Sequence, residues 1–175
     1  MILKLRMISD ENESFVRDYE LVDSANLLQL HDFICEDLDF DRSNFCSIFS
    51  ADEDWHKITE YTLSQIPDNE LSLGIPCAPM EDVTLKAAVA EGVSRFIYVF
   101  DMLSGRSLYI EIVGVHPEQN NLTYPRIANS QGEPPVQNAD FDLELDADPF
   151  NDMMEDFADF EDFGYSDYSD SDDDF

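Results

Sequence analysis

Beyond Arg126 the chain contains no lysine, arginine or histidine, although 49 residues remain. Basic residues are few throughout: 9 Lys and Arg stand against 40 Asp and Glu, for a formal charge of −31. All nine cations (Lys4, Arg6, Arg17, Arg42, Lys57, Lys86, Arg95, Arg106 and Arg126) share the first 126 residues with 23 acids. The other 17 acids, Glu133 and 16 between Asp140 and Phe175, have no counter-charge. Direct binding to nucleic-acid phosphates or to an anionic membrane surface needs a cationic footprint that is missing here. Attraction to a basic surface is favoured instead, and its long-range part weakens with salt.

Cysteine is scarce too. Cys35, Cys46 and Cys77 are an odd number in no spaced pair, which argues against a disulfide framework and for a reducing cytoplasm. The stretch Met1 to Asp10 lacks the apolar core of a signal peptide. No run approaches the ~20 apolar residues that span a bilayer, so a cytoplasmic protein without a membrane partner is expected. The familiar catalytic signatures are also missing: no glycine-rich phosphate loop, no Gly-x-Ser-x-Gly elbow, no His-Glu-x-x-His.

What is present divides into three regions: a domain over 1–117, a linker over 118–139 and an acidic tail over 140–175. Ile2 to Ile8 alternates apolar and basic residues, and Phe15 to Val22 follows a polar turn, so the two form a hairpin. Ser24 is placed as an N-cap for a helix over Ala25–Leu38, whose Leu27, Leu28, Leu30, His31, Phe33, Ile34 and Leu38 recur at helical spacing. Phe45 to Ser50 reads as a strand, Ala51 to Trp55 as an acidic turn, and Lys57 to Leu63 as a weaker strand. Pro67 to Pro79 reads as loop, and Met80 to Ala90 as a helix stopped by Gly92. Arg95 to Leu103 and Ser107 to Val115 form a second hairpin around Ser104-Gly105-Arg106. The segment after Pro117 turns rich in Asn, Gln, Pro and Gly, as linkers are. This order predicts an α+β fold: a small mixed or antiparallel sheet packed on a main helix, with a ubiquitin-like β-grasp as one topology that fits.

Two patches carry a resemblance. One is Asp23 to Ile34, followed by Leu38-Asp39-Phe40, Phe45 and Phe49. The other is Phe96-Ile97-Tyr98-Val99-Phe100-Asp101 with Leu108-Tyr109-Ile110-Glu111-Ile112-Val113. Over about the first 118 residues the chain resembles the plasmid open-reading-frame-three-like family, insertion-element passenger proteins of TnpR type. Many members follow that aspartate with a glycine–aspartate–aspartate–tryptophan turn, where this chain has Met102-Leu103-Ser104-Gly105-Arg106. The resemblance implies an α+β domain from a bacterial mobile element and assigns no activity. The acidic tail falls outside it.

Few side chains offer chemistry. His31 and Cys35 lie four apart on one predicted helix, a spacing that could ligate a metal, but His56 and His116 supply no second spaced pair. Packing is the favoured role for Cys35. Asp101, Glu111 and the turn Asp52-Glu53-Asp54 could pair as acid and base, with Arg95 and Arg106 as partners. No cofactor is implied, and the tail lacks the glycine-kinked loop of a calcium site. Trp55, the single tryptophan, is read as a sheet-edge anchor rather than a contact residue.

The tail is the sharper feature. Asp148-Pro149 reads as a helix start and Gly164 as a stop, framing an amphipathic helix over 149–163. Phe150, Met153, Met154, Phe157, Phe160 and Phe163 gather on one face, with Asp152, Asp156, Asp159 and Asp162 mostly off it. Residues 165–175, including Asp172, Asp173 and Asp174, read as a disordered polyanion that imitates a phosphate backbone. The expectation is a non-enzymatic protein whose tail occupies a basic partner surface that otherwise binds nucleic acid, as in transcription or translation machinery. The alternatives are a small metal-dependent enzyme near His31, Asp101 and Glu111, and a chaperone- or antitoxin-like binder of one basic protein.

Overall fold

The computed structural model describes residues 1–64 and 74–138. The segment 140–175 expected as a tail, with its partner-binding residues Phe150, Met153, Met154, Phe157, Phe160, Phe163, Asp152, Asp156, Asp159, Asp162, Asp172, Asp173 and Asp174, lies outside them.

Alternation of side chains makes the strands and sets their faces. The hairpin β1 (Ile2–Ser9) and β2 (Val16–Val22) is antiparallel, with Leu5 opposite Tyr19. The hairpin β3 (Ser47–Ala51) and β4 (Lys57–Thr62) turns at the acidic loop, and the hairpin β6 (Arg95–Asp101) and β7 (Arg106–His116) turns at Met102–Gly105. Two short strands, β5 (Cys77–Pro79) and β8 (Arg126–Gln131), complete one eight-stranded sheet in the order β5-β4-β3-β6-β7-β1-β2-β8. Every neighbouring pair is antiparallel except β4 and β5.

The helix α1 (Leu27–Leu38) starts at Asn26, not at Ser24. Gln29 N donates to Asn26 Oδ1 (2.9 Å), and Asn26 N donates to Gln29 Oε1 (3.0 Å), so two orphan donors of the first turn are met reciprocally. At the other end Asp39 takes a left-handed conformation (φ 56°) and its N–H returns to Cys35 O. The stretch Met80 to Ala90 is not one helix. Met80–Asp82 forms a 3₁₀ turn, and α2 (Leu85–Ala90) begins after Thr84, whose hydroxyl accepts from Ala87 N. The two helices start side by side: Leu27 N donates to Val83 O and Leu85 N to Ala25 O.

One sheet face carries the core. Leu3, Leu5, Met7, Tyr19, Leu21, Phe96, Tyr98, Phe100, Leu108 and Ile110 pack there with Leu27, Leu30, Ile34 and Leu38 of α1 and with Leu85 and Ala88 of α2. A smaller cluster of Phe49, Ala51, Ile97 and Val99 occupies the opposite face under Trp55, Ile75 and Tyr109. Trp55 stands edge-on to Tyr109 (5.2 Å between centroids), so it packs on the sheet through β7.

The expected small sheet on a main helix is therefore corrected, and the β-grasp with it. The dominant element is an eight-stranded sheet, and among the described residues the two α-helices are short accessories on one face. The reason lies at the edges. The segment 118–139, expected as a linker, contains β8, and the expected loop 67–79 contains β5. Edge strands bury little side chain and are held by backbone ladders, so a polar sequence can form them.

Gly132 closes the β8 end with φ +70°, and a Cβ there would stand 2.5 Å from Ser14 O and 2.9 Å from Phe15 N. Backbone cannot yield as a side-chain tip can. Gly132→Ala is expected to cost roughly 2–4 kcal/mol by combining left-handed strain with overpacking. Chemical denaturation would check it; a loss under 0.5 kcal/mol would contradict this account.

Candidate functional site

The register of the sheet commits the scarce cations. Arg95 lies opposite Glu111, Glu111 opposite Arg6, and Arg6 opposite Asp18, so one row of alternating charge crosses β6, β7, β1 and β2. Side chains close the row: Arg95 Nε to Glu111 Oε1 at 3.0 Å and Arg6 Nε to Asp18 Oδ1 at 2.8 Å. Lys4 Nζ adds a contact to Asp18 at 3.5 Å, and Arg126 Nε reaches Glu20 at 2.7 Å. Arg95 also donates to Glu53 O and lies 5.3 Å from the Trp55 ring centroid. Cross-strand opposite charges favour this register over a slipped one.

The guanidinium of Arg6, and secondarily Lys4, holds the Asp18 carboxyl below its ordinary pKa, and Arg126 does the same for Glu20. A lowered folded-state pKa gives stability that is present above the unfolded carboxylate range and lost as pH falls through the folded value. Asp18→Asn is therefore expected to cost about 1–3 kcal/mol at neutral pH. The difference from wild type should shrink as pH falls below about 4. Measuring both proteins at each pH cancels the effect of overall charge; a difference that grows toward acid would refute the assignment.

Arg17 is committed most deeply. It is buried, Nε meets Asp37 Oδ2 at 3.0 Å, and Nη1 donates to Val16 O, Gln131 O and Gly132 O. The Tyr19 hydroxyl donates to the same Asp37 oxygen at 2.6 Å, and burial with that carboxylate pushes the phenol pKa up. Arg106 grips Glu11 with two bonds of 2.7 Å, and Arg42 faces Asp32 and Glu36 at 3.8 Å. Seven of the nine cations thus face acids of the same domain. Of the other two, Lys57 Nζ lies over the Phe49 ring at 4.2 Å.

His31 and Cys35, singled out by spacing, do come together, and Cys46 and Tyr98 join them. His31 Nδ1 lies 3.0 Å from the Tyr98 hydroxyl and 3.4 Å from Cys46 Sγ. Cys35 Sγ is nearly equidistant from the two ring nitrogens, at 3.7 and 3.8 Å, so it rests against the imidazole rather than along one nitrogen lone pair. Among the described residues no group of three His, Cys, Asp or Glu side chains is arranged to hold a metal ion. Burial pushes the Cys46 thiol up to about 12, raises Cys35 and lowers His31, so each favours its neutral form. The cluster is a buried polar network whose members satisfy one another. Cys46 and Tyr98 were invisible as its members because both are remote from the helix in sequence.

The three residues of the enzyme alternative do not converge. His31 is buried on the core side. Glu111 faces Arg95 at one end of the β6–β7 hairpin, while Asp101 faces Arg106 at the other. Asp101 instead caps its own turn, accepting from Leu103 N and Ser104 N at 3.1 Å each, which lowers its pKa. The acidic turn is also self-satisfied, with Asp52 accepting from Asp54 N and His56 N.

The irregular segment 133–138 after β8 is pinned at several points. Asn12 Nδ2 donates to Glu133 O, Arg106 Nη1 to Gln137 O, and Asn44 Nδ2 to Asn138 Oδ1. Gln137 exchanges bonds with the Asp41 backbone, accepting from its N–H at 2.6 Å and donating to its carbonyl at 3.1 Å. The chain is thus held on the domain as far as Asn138. Sequence spacing carried no sign of it, because each contact joins residues 31 to 121 apart.

A single mixed sheet with helices on one face and a self-neutralised cation set is the class of protein these observations define. The chain belongs to the plasmid pRiA4b ORF-3-like protein family, whose profile matches residues 2–171. The match runs well past residue 118, so the acidic segment, expected to lie outside the resemblance, falls mostly within it. None of the curated proteins matches the chain. Among solved structures it is similar to a protein of unknown function from Methanosarcina mazei Go1, with a TM-score of 0.61 at 12% identity over 74% of this chain and 68% of that one. That likeness is one of fold. No helix among the described residues is long and apolar enough to cross a membrane.

Proposed function

We propose that the protein is a non-enzymatic interaction protein whose acidic segment 140–175 binds a basic, nucleic-acid-handling protein and competes with nucleic acid for it. The observation that carries this reading is the commitment of the cations: seven of nine face acids of their own domain. The 16 acids of 140–175 have none within their own segment, so their strongest complement is a basic surface on another molecule. Aromatic and methionine side chains spaced among the carboxylates add apolar contact that a plain polyanion would lack. Hydrogen bonds that hold the chain on the domain as far as Gln137 and Asn138 support reading the domain as the base from which that segment acts.

The test is capture from a bacterial lysate with the full chain and with residues 140–175 deleted, at low and high salt. The full chain should retain basic nucleic-acid-binding proteins, and added duplex DNA should displace them. Unchanged recovery by the truncated chain at both salt levels would overturn the proposal.

A further inference from the structure

Two loops at one end of the sheet present large apolar side chains to solvent. Phe45, just before β3, is 86% exposed, and Leu103, in the β6–β7 turn, is 93% exposed. Met102 beside it is 43% exposed. Neither loop needs such residues for its geometry: the turn is held by Asp101 accepting from Leu103 N and Ser104 N, and the other loop by Asp41 accepting from Ser43 N. Between them lies an open hollow of about 600 Å³, lined by Asn44, Phe45, Phe100, Met102, Leu103 and Asn138 with Asp101 at its edge. Exposed apolar side chains gathered at a concavity mark a contact surface rather than a fold requirement.

Two observations say what the hollow would receive. Its charged surroundings are anionic on balance: Asp101 lines it and Asp41 lies on the adjoining loop, while Arg106, over the Phe100 ring, is engaged by Glu11. Both carboxyls are held below their ordinary pKa, Asp101 chiefly by the Ser104 N–H and Asp41 chiefly by the Ser43 hydroxyl. Asn138, part of the lining, is also the last described residue before the acidic segment, so a molecule gripped by residues 140–175 is held within reach of the hollow.

We propose that this hollow is a second contact surface for the basic partner, taking an aromatic or aliphatic side chain flanked by Lys or Arg. The proposal rests on the preceding reading for the partner's charge, but stands on its own geometry for the apolar contact. Phe45 and Leu103 form the lips of the hollow and Phe100 part of its wall. Specificity then arises on the domain, while the acidic segment supplies long-range attraction.

The probe is a lysine-rich peptide carrying one central Phe, compared with the same peptide carrying Ser there. The full chain should bind the Phe peptide at least fivefold tighter. The double variant Phe45→Ser with Leu103→Ser should erase that preference while leaving the Ser-peptide affinity unchanged; both sites are exposed, so thermal unfolding should show little change. Equal binding of the two peptides, or a preference surviving in the double variant, would overturn the proposal. Deleting residues 140–175 should weaken both peptides; if it weakens neither, the reading of the acidic segment fails instead. Shifts of the Met102 and Leu103 methyl resonances on that deletion, without peptide, would show occupation by the chain itself and overturn the proposal. So would a dimer in sedimentation that the double variant dissociates.

Discussion

Replacing Asp37 by alanine is expected to destabilise the protein by about 3–5 kcal/mol, because it strands a buried guanidinium. Asp37 sits near the end of α1 and receives both Arg17 Nε and the Tyr19 hydroxyl. Arg17 and Asp37 side chains are 7% and 9% exposed, so water cannot replace the lost carboxylate without opening the contact between α1 and β2. Arg17 would keep its three carbonyl acceptors, which places the loss toward the lower end of that range. The Tyr19 hydroxyl would lose its acceptor as well, adding about 1–3 kcal/mol of unmet polarity if no rearrangement answers it. A double variant, Asp37→Leu with Arg17→Met, should lose less than Asp37→Ala alone, since a paired apolar replacement leaves no orphan charge. Denaturant titration of the three proteins decides it. If the double variant is the least stable, the ion pair adds more than the mutual satisfaction of two buried charges.

The second large effect concerns binding. Changing Asp152, Asp156, Asp159 and Asp162 together to Asn is expected to weaken the captured basic partner by about 10- to 100-fold at low salt, on the order of 1.4–2.7 kcal/mol at tenfold per 1.4 kcal/mol. The loss should fade as ionic strength rises and the Debye length shortens. Changing Phe157, Phe160 and Phe163 to Ala should weaken binding at every salt concentration, because apolar contact is not screened. The two sets of variants thus separate attraction from recognition. Salt titration of each affinity is the measurement; a neutralised chain that binds as tightly as wild type at low salt would remove the electrostatic basis of the proposal.

Where each residue's role depended on near neighbours, the sequence was readable. The hairpin of Phe96, Tyr98 and Phe100 against Leu108 and Ile110 declares itself by alternation, and the structure pairs those runs. The helix was equally plain, though it starts at Asn26 rather than at Ser24. Of these two residues only Asn26 has a glutamine three residues on, and the capping box forms there. Where a role depended on distant backbone, the sequence was silent. β8 is polar because its neighbour β2 supplies the hydrogen bonds, and the clamp around Gln137 joins residues nearly a hundred positions apart. The apolar residue at Leu103 was in plain view as an oddity within a turn. Only the approach of Phe45 to the same hollow turned it into a feature with a use.

The placement of β1 bears on how the molecule is made. It leaves the ribosome about a hundred residues before β7, yet β7 is its partner on one side, with Ile2 facing His116 and Ile8 facing Tyr109. While translation covers that distance, the nascent β1–β2 hairpin carries an unpaired edge, the kind on which neighbouring chains in a polysome can zip together. Lys4 and Arg6 lie along that edge strand. In an antiparallel encounter of two β1 strands they would meet cations, which disfavours the pairing. The residues that later lock Asp18 therefore also guard the strand before its rightful neighbour has been synthesised.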